Sequence, residues 1–117
     1  MTQALGEFEQ LILLALVRLG PNAYGVSMRK EIETRTGRVI SAGAIYTALE
    51  RMEARGFVSS RLGETTEQRR GRPRKFYRLE PTGAEALDRS YSAFAQMAKG
   101  MGPKLANLVS EAQHSSA

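Results

Sequence analysis

The sequence predicts a mainly α-helical chain interrupted by one small β-hairpin. Three observations carry this: helical periodicity punctuated by glycines, a change to an alternating pattern after Gly56, and an apolar stripe of heptad spacing near the end. The 117 residues suffice for one domain with a modest core and an appended helix. Apolar residues make up 42% and charged residues 25%, the balance of a folded chain rather than a disordered one.

The first helix is expected from Leu5 to Leu19, stopped by Gly20-Pro21. Its second half, LILLALV, is apolar on every side, so it needs burial on every side, partly by its own domain and partly by a second chain. Leu11 and Leu14 are assigned to that second contact. The apolar run is too short to cross a bilayer, and Glu7 and Glu9 precede it where a signal peptide would be positive. No membrane contact and a cytoplasmic location are expected.

A second helix runs from about Tyr24 to Thr36 and ends at Gly37, with Val26, Met28 and Ile32 as its inner face. A third begins at the N-cap Ser41 and ends at Gly56, with Ile45, Leu49 and Met52 inward. Phe57–Thr66 and Arg74–Leu79 read as strands, with Val58, Leu62, Tyr77 and Leu79 pointing inward. Gly71 and Pro73 supply turn residues between them. Pro81 suits the first position of a last helix, and either Glu80 or Thr82 would cap it. Three helices followed by a hairpin is the winged helix-turn-helix order. The expected organisation is therefore a winged helix-turn-helix domain over 1–80, a C-terminal dimerisation helix over 81–113 kinked at 100–103, and a disordered tail at 114–117.

In that architecture the third helix offers its outer face to a DNA major groove. Ser41, Ala42 and Gly43 are small and would let the helix N-terminus approach phosphate, while Tyr46, Thr47 and Arg51 would reach phosphates or base edges. By itself this segment reads as a surface helix, and it gains meaning from the hairpin after it. From Thr66 to Arg78 there are six cations, Arg69, Arg70, Arg72, Arg74, Lys75 and Arg78, against one carboxylate, Glu67. Six minus one equals the +5 net charge of the whole chain. The positive excess is concentrated in the hairpin, which points to a polyanion, with double-stranded DNA first and RNA or a protein partner as the competing readings.

Leu87, Tyr91, Phe94, Ala98, Met101, Leu105 and Leu108 follow spacings of four and three, a heptad seam that keeps register across Gly100-Met101-Gly102-Pro103. A seam this long exceeds what a small domain covers, so a homodimer is expected. The proline should break it into pieces of 81–99 and 103–112. Phe8, Ile12, Tyr91, Phe94 and Met97 are candidates to line an apolar site for a small aromatic effector, or else to be packed interface residues. There is no cysteine, and the one histidine, His114, lies near the end; no metal, cofactor or nucleophile–base pair is expected, and an enzyme is disfavoured.

At this level the residues resemble the short-chain PadR-type transcriptional regulators. The resemblance is carried by LGEFEQLILLALVRLGPNAYG, SAGAIYTALERMEARGFV and RRGRPRKFYRLEPTGAEAL, spanning about Leu5 to Leu87. It implies a homodimeric repressor on a near-palindromic operator, with the C-terminal helix of one subunit against the first helix of the other. It also implies, for some members, control by phenolic acids or aromatic drugs. Two departures stand out. Glu80 occupies the position where the family usually opens its last helix with threonine, and the chain has no tryptophan with which to sandwich a flat drug.

Overall fold

The computed structural model describes residues 4–63 and 73–115. Helix α1 spans Glu7–Leu19, α2 Gly25–Thr36 and α3 Ala42–Ala54; strands β1 (Val58–Leu62) and β2 (Lys75–Leu79) follow, then α4 (Pro81–Ala98) and α5 (Met101–Ser115). The chain is thus mainly helical with one antiparallel hairpin, as the periodicity predicts.

Local chemistry sets the boundaries. Glu9 accepts from the Gly6 amide at 3.0 Å, tying down the start of α1. Ser41 accepts from the Ala44 amide at 3.1 Å, the expected N-cap of α3. Between α1 and α2 the chain makes one 3-10 turn, Gly20–Asn22, and then joins the sheet. Tyr24 pairs with Phe76 as an isolated bridge, and the Tyr77 amide donates to the Ala23 carbonyl at 2.8 Å.

Ile12, Leu13, Met28, Ile45, Leu49 and Met52 are the largest fully buried side chains, one cluster shared by α1, α2 and α3. Burying each contributes about 1.5–3 kcal/mol. Val58 and Tyr77 close that cluster from the sheet, and Ala86 and Leu87 from the start of α4. Two inward assignments fail. Val26 is exposed because α2 turns Gly25, Met28 and Ile32 inward, a spacing of three and four that leaves Val26 to the side. Leu62 is exposed because it ends β1 opposite Lys75, past the edge of the core.

Glu80 is the N-cap residue of α4 with Pro81 at its first turn, while Thr82 donates to the Gly56 carbonyl at 2.7 Å. The break in the last helix falls earlier than the proline suggests. Lys99 leaves helical geometry and Gly100 adopts φ +75°, a conformation open to glycine at little cost. Pro103 sits in the first turn of α5, where a missing N–H costs nothing. The heptad register is therefore interrupted at Lys99-Gly100. Helix α5 also continues through His114 and Ser115, so the first half of the expected tail is helical.

Candidate nucleic-acid interface

Helix α3 divides its residues as the sequence suggests. Ile45, Ala48, Leu49 and Met52 are buried, while Ser41, Ala42, Gly43, Tyr46, Thr47 and Arg51 are all exposed. Its outer face meets the N-terminal end of α1 across an open cleft of about 510 Å³, which Gly43, Thr47 and Arg51 line from α3 and Phe8 from α1.

Tyr46 has a fixed seat. Its phenol lies against the backbone of Gly25, so closely that a Cβ added there would fall 2.5 Å from the hydroxyl oxygen and 2.6 Å from Cζ. Only glycine leaves that space at the first position of α2. The next residue back, Tyr24, lies in the sheet, with its ring 5.6 Å from that of Phe76 in an edge-to-face arrangement. The Arg74 guanidinium covers the Tyr24 ring at 4.1 Å, and the Arg61 guanidinium covers the Phe76 ring at 4.6 Å. A continuous series of contacts thus runs from the outer face of α3, through the start of α2, onto the hairpin.

The described cations of the hairpin fall into two groups. Lys75 lies 3.8 Å from Glu53, and Arg78 lies 3.4 Å from Glu80. Arg61 and Arg74 rest on aromatic rings, as Lys75 also does on Tyr77 at 5.6 Å, but among the described residues neither arginine has a carboxylate partner. The expected contacts Arg69, Arg70 and Arg72 lie outside the described residues. The Ser59 hydroxyl, 2.5 Å from Glu80, and the neighbouring Arg78 hold the Glu80 carboxyl below its ordinary pKa. Burial pushes the Tyr77 phenol above its usual value. The Arg61–Phe76 and Arg74–Tyr24 stacks are absent from the sequence reading. Strand alternation could have put Arg61 and Phe76 on one face, but only with the register known, and the PNAY segment gave no sign of joining the sheet.

The residues assigned to dimerisation separate. Leu87 is buried in the core of its own chain, and Leu11 is half-buried against that core, so both are largely satisfied within the domain. Leu14 and Tyr91 are exposed and line a shallow groove of about 290 Å³ between α1 and α4, together with Val17, Leu79, Ala84 and Leu87. Phe94, Ala98, Leu105 and Leu108 are exposed, and Met101 is partly covered.

The five candidates for an effector site are not brought together within one chain. Ile12 is completely buried and offers a ligand no surface, since α1 turns it into the core. Phe8 lines the cleft beside α3, whereas Tyr91 lines the groove beside α4. Phe94 and Met97 stand 71% and 82% exposed.

With this geometry in view, the chain matches the model of the transcriptional regulator PadR-like family over residues 13–89, well over half its length. It belongs to that family of winged-helix, DNA-binding transcription regulators. Solved structures agree. A transcriptional regulator from Clostridium thermocellum is 26% identical, with TM-score 0.65, covering 81% of this chain and 89% of that one. A PadR family transcriptional regulator from Eggerthella lenta is 26% identical, with TM-score 0.63, covering 85% and 86%. A third, from Clostridium difficile, is 25% identical, with TM-score 0.64, covering 84% and 98%. Comparison with curated proteins finds no match. Among the described residues no helix is long and apolar enough to cross a membrane, and no cluster of His, Cys, Asp or Glu could hold a metal ion.

Proposed function

We propose that the protein is a homodimeric repressor that reads a near-palindromic operator in duplex DNA. The observation that carries this is the unbroken series of contacts from Tyr46 through Gly25 and Tyr24 to Arg74, which makes the outer face of α3 and the base of the hairpin one surface. In this reading two α3 helices enter successive major grooves about 34 Å apart. Ser41, Ala42 and Gly43 bring the amide end of α3 to a phosphate, Tyr46 donates its hydroxyl to another, and Thr47 and Arg51 meet base edges or phosphate. Arg69, Arg70, Arg72, Arg74 and Lys75 grip the backbone or the flanking minor groove.

Pairing uses Leu14, Tyr91, Phe94, Ala98, Met101, Leu105 and Leu108, which supply the apolar surface a partner would cover, with Leu11 and Leu87 backing it from the core. A small aromatic ligand would act by entering among Tyr91, Phe94 and Met97 and changing the angle between the winged domains, and hence the separation of the α3 helices. Phe8 would join it only if the partner's arm crossed to the α1 end of the domain.

The experiment is a salt titration of duplex binding. If each subunit neutralises three or four phosphates, log affinity should fall with log salt at a slope of about −5 to −7. A slope near −2, or equal affinity for duplex DNA and double-stranded RNA, refutes the proposal. Tyrosine fluorescence across a panel of aromatic ligands tests the effector, and silence across the panel removes it.

A further inference from the structure

The hairpin turns two differently furnished faces to its surroundings. Val58, Tyr77 and Leu79 lie on the face that closes the core. The alternate residues Arg61, Arg74 and Phe76 lie on the other, because Arg61 pairs directly with Phe76 and Arg74 is two residues before it. Tyr24 joins that outer face through its bridge to Phe76. The result is a four-membered row of contacts, guanidinium, phenol, phenyl, guanidinium, in the order Arg74, Tyr24, Phe76, Arg61, with the two rings edge to face at its centre.

Two features separate this row from ordinary surface charge. Arg61 and Arg74 have no carboxylate within ion-pair reach among the described residues, whereas Lys75 and Arg78 on the same hairpin each have one. Each guanidinium carbon also lies over a ring, 4.6 Å from the Phe76 centroid for Arg61 and 4.1 Å from the Tyr24 centroid for Arg74, and Arg61 further donates to the Pro21 carbonyl at 3.5 Å. Arg61 is exposed and, beyond the Nη2 contact to Pro21, keeps in-plane donors for a partner, and such a guanidinium fits the oxygens of a phosphodiester; the Nε of Arg74 is buried, so Arg74 contributes through its terminal nitrogens. The row spends less conformational freedom when that partner arrives, because the ring contact already favours one placement of the side chain.

We infer that Arg61 is a further backbone-binding arginine of the hairpin, pre-set by Phe76, and that with Arg74 it forms a phosphodiester-binding face on the outer side of the sheet, in addition to the contacts proposed for Arg69, Arg70 and Arg72. This rests on the reading of the protein as a duplex-DNA binder, and it extends the contact to the paired strands of the hairpin. Phe76 acts as a positioning residue: it touches no DNA and works through Arg61.

The test is fluorescence anisotropy with a fluorescein-labelled random-sequence duplex several helical turns long, titrated with each variant of the full chain over a range of salt. Arg61→Ala should lower affinity and make the salt slope shallower by about 0.9 per protomer, about 1.8 per dimer. Phe76→Leu keeps every cation, so the slope should stay at the wild-type value while affinity falls about two- to fivefold. Should Phe76→Leu melt early, Arg61→Lys asks the same question at an exposed site; it retains the charge but loses the planar fork, so it too should keep the slope and weaken binding. An unchanged slope for Arg61→Ala overturns the inference, as does full affinity in Arg61→Lys. A wild-type chain that fails to bind any duplex overturns instead the function on which the inference rests, so the two failures are distinguishable.

Discussion

The winged domain and the arm that follows it are built from similar proportions of apolar residues, yet they satisfy them differently. Among the described residues every buried apolar side chain falls between Leu5 and Leu87, and none beyond. Past Leu87 the same residue types recur at helical spacing, but Tyr91, Phe94, Met97, Leu105, Leu108 and Val109 all face outward. The domain closes its own core; the arm presents an open one. A helical apolar stripe therefore states a need for burial without saying which chain meets it.

The comparison can be broken most forcefully inside the domain. Leu49 has no exposed surface, so Leu49→Ala should lower unfolding free energy by about 2–5 kcal/mol in urea. Leu108→Ala, measured at a protein concentration where single chains prevail, should change it by less than about 0.5 kcal/mol. Equal losses at the two sites would mean that the arm folds back onto its own domain.

The arm answers to dilution. If a second copy covers it, melting temperature should rise with protein concentration. Phe94→Asp should weaken association at least about tenfold, some 1.4 kcal/mol, in sedimentation measurements. A melting temperature independent of concentration in the wild-type chain would remove the dimer.

The smallest effect belongs to the seam between sheet and core. Burial raises the Tyr77 pKa above its ordinary value of about 10, so the unfolded chain releases the phenolic proton first as pH climbs. Stability should hold below that value and decline as pH rises through the folded-state pKa. Tyr77→Phe should flatten this alkaline decline in pH-dependent melts, and an unaltered decline would place its source elsewhere.

Much of this was legible from residue order. Ser41, Gly37 and Gly56 mark their helix boundaries because capping is a local matter, and Ile45, Leu49 and Met52 lie where a helical repeat puts them. What escaped depends on partners distant in sequence. Leu62 alternates correctly yet outruns the core, Ile12 belongs to a helix whose faces are chemically alike, and the break expected in the Gly-Met-Gly-Pro step is made by Lys99 and Gly100 rather than by the proline. The candidate interface divides in the same way. The outward face of α3 follows from periodicity, whereas the Arg61–Phe76 stack requires strand register, and the Tyr24–Arg74 stack requires a third segment in the sheet.

The seat of Tyr46 on Gly25 binds two positions into one evolutionary unit. A relative that gains any side chain at position 25 has to re-aim or surrender the phenol at 46, because both cannot occupy the same few ångströms. Across homologues these positions should covary, with bulk appearing at one only where the aromatic ring has vanished from the other.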